Sequence, residues 1–179
     1  MRADAQRNRE RLVEVARLAF TTGDTKVSLE AVARAAKVGI GTLYRHFPTR
    51  EALVEAVYRA ERTRLCDSAE ELLAANPPDR ALRAWMDRFA DYVATKRDMA
   101  DALRVLMAAG TITTSQARDE LSAAARRLLD AGAADGSLRA DVRAEDVTAA
   151  LVGIFLVGSD PDQTTRLLDL LMDGLRTPG

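Results

Sequence analysis

Apolar residues recur with the period of an α-helix along almost the whole chain, and this periodicity restricts the fold more than any other feature. Near the N-terminus, Leu12, Val15, Ala16, Ala19 and Phe20 follow the spacing that places side chains on one helix face. Long alternating runs of β-branched or aromatic residues, which favour strands, are absent, and aromatic residues make up only 4% of the sequence. The sequence therefore predicts an all-α fold.

Helix-stopping residues divide this pattern into about nine predicted helices. Residues 76–78 (Asn-Pro-Pro) form the firmest stop, because two prolines cannot continue a helix. Gly23 favours a left-handed turn after the first helix, and Ser28, Thr49 and Asp160 are typical N-cap residues. The predicted helices cover residues 5–22, 29–36, 41–46, 50–75, 79–97, 98–109, 116–134, 145–157 and 161–176.

Length and composition exclude several classes of protein. The 179 residues suffice for one ordinary domain or a small domain joined to a larger one. Cys66 is the only cysteine and His46 the only histidine, which excludes an internal disulfide and a zinc cluster built from these residue types. No catalytic set, metal site or cofactor motif is evident, so we expect a protein that is not an enzyme and has no cofactor.

The hydropathy pattern predicts a cytoplasmic protein. The first residues lack the apolar core of a signal peptide. The longest strongly apolar run, residues 149–157, is about half of the roughly 20 residues that cross a bilayer.

Charge is distributed unevenly. Residues 1–50 carry a net charge of +5, whereas the remaining residues carry −6. A basic segment on an acidic body suggests an anionic partner for the N-terminal part alone. The same imbalance can arise by chance, so it gains meaning only if a motif lies in the same region.

Such a motif lies in residues 28–50. Two short predicted helices separated by a tight glycine turn form a helix-turn-helix, with Val32 and Ala36 of the first helix packing against Leu43 and Phe47 of the second. In this arrangement the N-terminal residues of the second helix enter the major groove of DNA.

The run from Gly39 to Leu53, which contains Gly-Thr-Leu-Tyr-Arg-His-Phe, resembles the TetR/AcrR family of transcriptional regulators. The resemblance implies a homodimer that binds a palindromic operator in double-stranded DNA and is released by a small ligand, most often as a repressor. It implies a DNA-binding domain at residues 1–50 and an effector-binding and dimerisation domain at residues 51–179. Segments between Leu82 and Val142 also resemble the SbtR-like C-terminal domain of this family.

The resemblance assigns roles to individual residues. By position, Thr42, Tyr44 and His46 would contact DNA. Ser28 would touch a phosphate, and Arg50 would anchor the fourth helix on the DNA backbone.

Four further residues complete the predicted DNA-binding set. Gly39 and Gly41 would allow the turn to approach the groove closely. Ile40 and Arg45 occupy positions that vary in the family, so we expect them to set sequence preference.

Large, soft side chains gather on the fifth and sixth predicted helices, in an otherwise Ala- and Leu-rich chain. Ligand sites are mostly apolar with a few polar groups, and the family builds its effector pocket in this region. An ordinary hydrophobic core is the alternative. The predicted ligand-binding residues are Trp85, Phe89, Tyr92, Met99, Leu103 and Met107.

The last two predicted helices are broadly apolar, and their apolar surface exceeds what the core of one subunit needs. Ala149, Gly153 and Val157 lie at four-residue spacing on the eighth helix, and Leu167 and Leu171 line the ninth. These residues are predicted to form the dimer interface. A fully internal hairpin is the alternative.

Two other function classes stay open from the sequence. A helical scaffold for protein interactions would bind no DNA, and neither would a protein that only holds a small molecule. Salt-sensitive DNA binding separates both from a regulator.

Overall fold

The computed structural model describes residues 2–21, 28–158 and 160–177. In these ranges the chain forms nine α-helices, which confirms the predicted all-α class. In chain order they are α1 (Arg2–Thr21), α2 (Leu29–Ala35), α3 (Ile40–His46), α4 (Arg50–Ala75), α5 (Pro78–Asp98), α6 (Ala100–Ala108), α7 (Thr114–Asp135), α8 (Ala144–Val157) and α9 (Pro161–Leu175).

The chain divides into two compact units. Unit 1 comprises residues 1–61 and 94–113, and within it α1, α2 and α3 pack against one another. Their contact faces bury Leu12, Phe20, Val32, Leu43 and Phe47. Burial of these faces stabilises α2 and α3, because seven-residue helices are too short to persist alone in water.

Unit 2 comprises residues 62–93 and 114–179, and here α7 packs against α8 and α8 against α9. Trp85 is fully buried and donates its indole N–H to the Leu65 carbonyl at 2.9 Å. At the end of α9 the Leu175 carbonyl accepts from the Arg139 N–H at 2.9 Å, which ties the segment after α7 to the last helix.

The predicted caps are present. The Ser28 hydroxyl accepts from the Ala31 N–H, the Thr49 hydroxyl accepts from the Ala52 N–H, and the Asp160 carboxylate accepts from the Asp162 N–H, each at 3.1 Å. Helix α4 has the bounds predicted for it, because it has a cap at one end and the Asn-Pro-Pro stop at the other.

Other predicted bounds need correction. Helix α1 begins three residues earlier than predicted, and its predicted end at Thr22 and Gly23 lies outside the described residues. Thr114 and Ser115 were expected in a loop, but both belong to the first turn of α7. Helix α6 begins at Ala100 rather than residue 98, because α5 continues to Asp98. None of the helices in the described ranges is long and apolar enough to cross a membrane.

Candidate nucleic-acid interface

The connection between α2 and α3 is a helix-ending motif built on a lysine. The Val38 N–H donates to the Ala33 carbonyl at 2.9 Å, and the Lys37 N–H donates to the Arg34 carbonyl at 3.1 Å. This pair of hydrogen bonds defines a Schellman motif, in which the residue after the C-cap takes a left-handed conformation. Lys37 has a φ of 54°. The predicted glycine turn is therefore wrong in detail, because Gly39 has a φ of −60° and serves as the N-cap of α3.

Helix α3 has one buried and one exposed face. Leu43 and Phe47 are 0% and 2% exposed and pack into the core of unit 1, whereas Ile40 and Tyr44 are 42% and 43% exposed. Residues four apart lie on the same side of a helix, so Ile40 and Tyr44 share one face, whereas Leu43 lies on the other face and Phe47 follows the helix as its C-cap. The exposed face of α3 thus presents an apolar side chain and a phenol to solvent.

Tyr44 is held by an acidic residue of α2. Its hydroxyl donates to Glu30 Oε1 at 3.2 Å, although the two residues are fourteen positions apart. Hydrogen bonds from its own backbone N–H, from Tyr44 and from Ser28 hold the pKa of Glu30 below its usual value. The same hydrogen bond and the negative charge of Glu30 raise the pKa of Tyr44. The pair is therefore an ionised carboxylate and a neutral phenol.

Two arginines lie over buried aromatic rings of unit 1. The Arg50 guanidinium carbon is 5.6 Å from the centre of the Phe20 ring, and that of Arg9 is 5.3 Å from the centre of the Phe47 ring. A guanidinium in such a cation–π contact is held in place while its N–H groups can still donate outward. Arg9 was not among the predicted residues, since no motif distinguishes it from the other arginines of α1.

The remaining predicted DNA-binding residues lie on or beside α3. Gly41 and Arg45 are exposed, and Arg45 Nε donates to the Gly41 carbonyl at 3.2 Å. Thr42 and His46 are half-buried. A Cβ added at Gly41 would meet nothing within 4 Å, so side-chain packing in the subunit does not require glycine there.

The predicted ligand-binding residues are divided between the two units. In unit 2, Trp85, Phe89 and Tyr92 are buried, and successive ring centres are 5.6 and 5.8 Å apart with edge-on geometry. Phe155 of α8 stacks on Phe89, with 5.8 Å between ring centres. The other three predicted residues belong to unit 1, where Met99 and Leu103 are buried and Met107 is half-buried.

The predicted dimer residues include an exposed stripe on α8. Ala149, Gly153 and Val157 are exposed, whereas Leu167 and Leu171 of α9 are half-buried. Other apolar side chains of α8 and α9, the two helices that the sequence analysis describes as broadly apolar, are also exposed. They are Val152 and Leu156 of α8 and Leu170 of α9.

Comparison with known proteins places this arrangement in a family. Residues 12–57 match the sequence profile of bacterial regulatory proteins of the tetR family, and residues 77–177 match that of the SbtR-like transcriptional regulator C-terminal domain. The chain belongs to the TetR family. This TetR-family protein is a DNA-binding transcriptional regulator, and the N-terminal profile includes α2 and α3, the two helices of the helix-turn-helix.

Solved structures agree over nearly the whole chain. A TetR transcriptional regulator from Streptomyces coelicolor is 49% identical, with 96% of this chain and 99% of that chain covered and a TM-score of 0.85. A TetR regulatory protein from Mycobacterium vanbaalenii is 36% identical, with 98% and 99% covered and a TM-score of 0.78.

A curated relative matches over the N-terminal region alone. An HTH-type transcriptional regulator of Staphylococcus aureus is 41% identical over 54 residues. The match spans 30% of this chain and 29% of that relative.

Proposed function

We propose that this TetR-family regulator binds a palindromic DNA operator as a homodimer, with the exposed face of α3 in the major groove, and that a small apolar ligand modulates the binding. The observation that carries the proposal is the division of α3 into two faces. Leu43 and Phe47 anchor the helix to the subunit, and Ile40 and Tyr44 are exposed on the side that would meet a groove.

Each predicted residue then has a role at the DNA surface. Ile40 provides an apolar contact that can read a thymine methyl group. Tyr44 and Arg50 bind phosphates, which fix the position of the protein on the duplex without reading sequence. Ser28 at the N-terminus of α2 and Thr42 and His46 of α3 add polar contacts, and Gly39, Gly41 and Arg45 complete the surface. In this proposal residues 1–50 form the DNA-binding domain, and residues 51–179 form the domain that binds the effector and dimerises.

A two-fold dimer matches a palindrome. Operators of this kind present two half-sites about 34–36 Å apart, or a multiple of that distance, and a symmetric dimer presents two recognition helices. The exposed apolar side chains of α8 and α9 support dimerisation through these helices, because monomeric soluble proteins rarely leave large apolar patches in water.

The ligand proposal is supported by the aromatic cluster of unit 2. Trp85, Phe89 and Tyr92 bring three aromatic rings together, and ligand pockets are lined mainly by apolar and aromatic side chains. Helix α4 is a single helix of 26 residues that begins just after α3 and continues into unit 2. A ligand that shifts α4 would change DNA affinity, and DNA would change ligand affinity by the same factor.

DNA binding is tested by fluorescence anisotropy with a labelled duplex of random sequence at low salt. The wild-type protein should bind, and its affinity should fall steeply as salt is added. Tyr44→Ala should weaken binding while its unfolding temperature and oligomeric state stay unchanged. Val105→Ala, on the exposed side of α6, is the matched control and should bind as the wild type does. Binding by Tyr44→Ala that equals the wild type would contradict the placement of α3.

Ligand binding is tested through Trp85, the only tryptophan of the chain. Small apolar compounds, from alkanols to simple phenols, should change its fluorescence and weaken DNA binding over the same concentration range. A compound that releases DNA from the wild type without changing Trp85 fluorescence would place the ligand away from the aromatic cluster.

We infer a cytoplasmic location for the protein, since the DNA that a bacterial regulator controls lies in the cytoplasm.

A further inference from the structure

We propose that Lys37, in the turn between α2 and α3, is a DNA-phosphate contact. The proposal rests on the proposed function and adds a residue to the DNA surface that neither the helix-turn-helix pattern nor the family resemblance assigned. Its starting point is the backbone conformation of Lys37.

The fold requires a left-handed residue at position 37. The hydrogen bonds from Lys37 and Val38 to the Arg34 and Ala33 carbonyls close the end of α2, and the buried Val38 side chain follows immediately. Any residue at this position must therefore take a φ near 54°. A side chain with a Cβ is strained there, whereas glycine is not.

The same chain uses glycine at its other left-handed positions. In the described ranges, Gly110 has a φ of 71° and Gly136 a φ of 80°, and Lys37 is the only residue other than glycine with a positive φ. Gly136 directly follows Asp135, the last residue of α7, and Lys37 lies two residues after Ala35, the last residue of α2. A strained residue in place of glycine indicates that its side chain has a use that glycine cannot supply.

Within the part of the chain that the structure describes, the Lys37 side chain has no visible role. Lys37 is exposed, and the described residues contain no ion pair to its ammonium group. Its backbone lies two residues before Gly39, the N-cap of α3, whose first turn carries the exposed Ile40. A long flexible cation at this point extends toward the phosphates that border any groove that α3 enters.

One intramolecular alternative is a favourable contact with the negative C-terminal end of α2. A cation near a helix C-terminus stabilises the helix, but Arg34 already lies in the last turn of α2. This alternative predicts that removing Lys37 lowers the stability of the protein. The DNA contact predicts unchanged or higher stability, because glycine relieves the backbone strain.

The test compares Lys37→Gly, Lys37→Asn and Lys37→Arg in anisotropy titrations with a labelled random duplex across a salt series. Losing one phosphate contact makes the negative slope of log affinity against log salt shallower by about 0.9. This change corresponds to an affinity about five-fold weaker at 0.15 M salt. If the protein binds as a dimer, the slope should fall by about 1.8 and the affinity by about thirty-fold. Lys37→Arg, which keeps the cation, should retain both. Lys96→Gln, which removes a lysine from α5, is the matched control and should bind as the wild type does.

Thermal unfolding of the same variants completes the test. Lys37→Gly should unfold at the wild-type temperature or above it while binding DNA more weakly. Wild-type slope and affinity in Lys37→Gly and Lys37→Asn would overturn the proposal, and so would weaker binding that accompanies a lower unfolding temperature. A wild-type protein that binds no duplex would remove the proposed function together with this inference, whereas failure of the variants alone would remove only the inference.

Discussion

Replacing Leu156 with aspartate should weaken self-association of the protein strongly. Leu156 is 73% exposed in the single chain, and Leu170 and Val157 are 68% and 70% exposed. Burying a leucine side chain completely contributes about 1.5–3 kcal/mol, so burying the exposed part of Leu156 contributes about 1–2 kcal/mol. In a two-fold dimer the residue occurs twice, which doubles its contribution to about 2–4 kcal/mol.

This free energy sets the expected size of the effect. A loss of about 2–4 kcal/mol raises the dimer dissociation constant by about thirty-fold to nearly a thousand-fold, and two buried carboxylates would add to the loss. Sedimentation velocity over a concentration series measures the constant directly. Because two half-sites must be held together, the affinity of Leu156→Asp for a palindromic duplex should fall in parallel.

The matched control is Val105→Asp, which makes the same kind of change at a side chain that is 59% exposed on α6 of unit 1. It should leave self-association unchanged. A wild-type dissociation constant in Leu156→Asp would refute the assignment of the interface to α8 and α9. Dissociation caused by Val105→Asp instead would place the interface on α6.

Three further predictions address the DNA surface, the core and the thiol. Glu30→Gln should strengthen binding to random duplexes measured by anisotropy, because Glu30 competes with phosphates for the Tyr44 hydroxyl proton and repels them. Gly132→Ala should lower the free energy of unfolding in urea by about 1–3 kcal/mol, since the new Cβ would lie 2.4 Å from Cδ1 of the buried Leu138. Burial raises the pKa of Cys66 to about 11, so stability should fall as the pH rises from 9 to 11, and Cys66→Ser should reduce that fall.

Each of these has a control of its own. For Glu30→Gln, the gain should shrink in a Tyr44→Phe background, and an equal gain in both backgrounds would leave charge repulsion as the only cause. For Gly132→Ala, the control is Gly174→Ala in α9, where the added Cβ meets nothing within 4 Å and stability should not decrease. For Cys66, a wild-type protein as stable at pH 11 as at pH 8 would contradict the effect of burial.

The sequence predicted helix bounds best where a capping residue and a helix-stopping segment lie at the two ends of the helix. Helix α4 was predicted with its observed bounds, because Thr49 caps it and Asn-Pro-Pro stops it. The start of α7 was missed, since Thr114 and Ser115 are residue types common in loops and only packing decides that they are helical. Local propensity thus defined the helices, and tertiary contacts adjusted their ends.

The sequence predicted the helix-turn-helix of the candidate site, but it did not predict the backbone conformation of the turn or the side-chain contacts between the two helices. Periodicity and the glycine-rich turn placed the helix-turn-helix correctly, but they put the turn on Gly39 and Gly41, whereas the left-handed residue between the two helices is Lys37. A Schellman motif usually closes on glycine, so Lys37 carried no sequence signal for it and the hydrogen-bond pattern was needed to find it. The contact between Glu30 and Tyr44 joins two helices and has no counterpart in local sequence spacing.

Selection from a pool of random duplexes tests the central claim most directly. If α3 of each subunit reads a major groove in a two-fold dimer, wild-type protein should enrich a palindrome whose half-sites are one helical turn or a multiple of it apart. Ile40→Ala should then recover an altered base preference within each half-site at unchanged spacing. Recovery of no common sequence by the wild type, or of a single unrepeated site, would contradict the account.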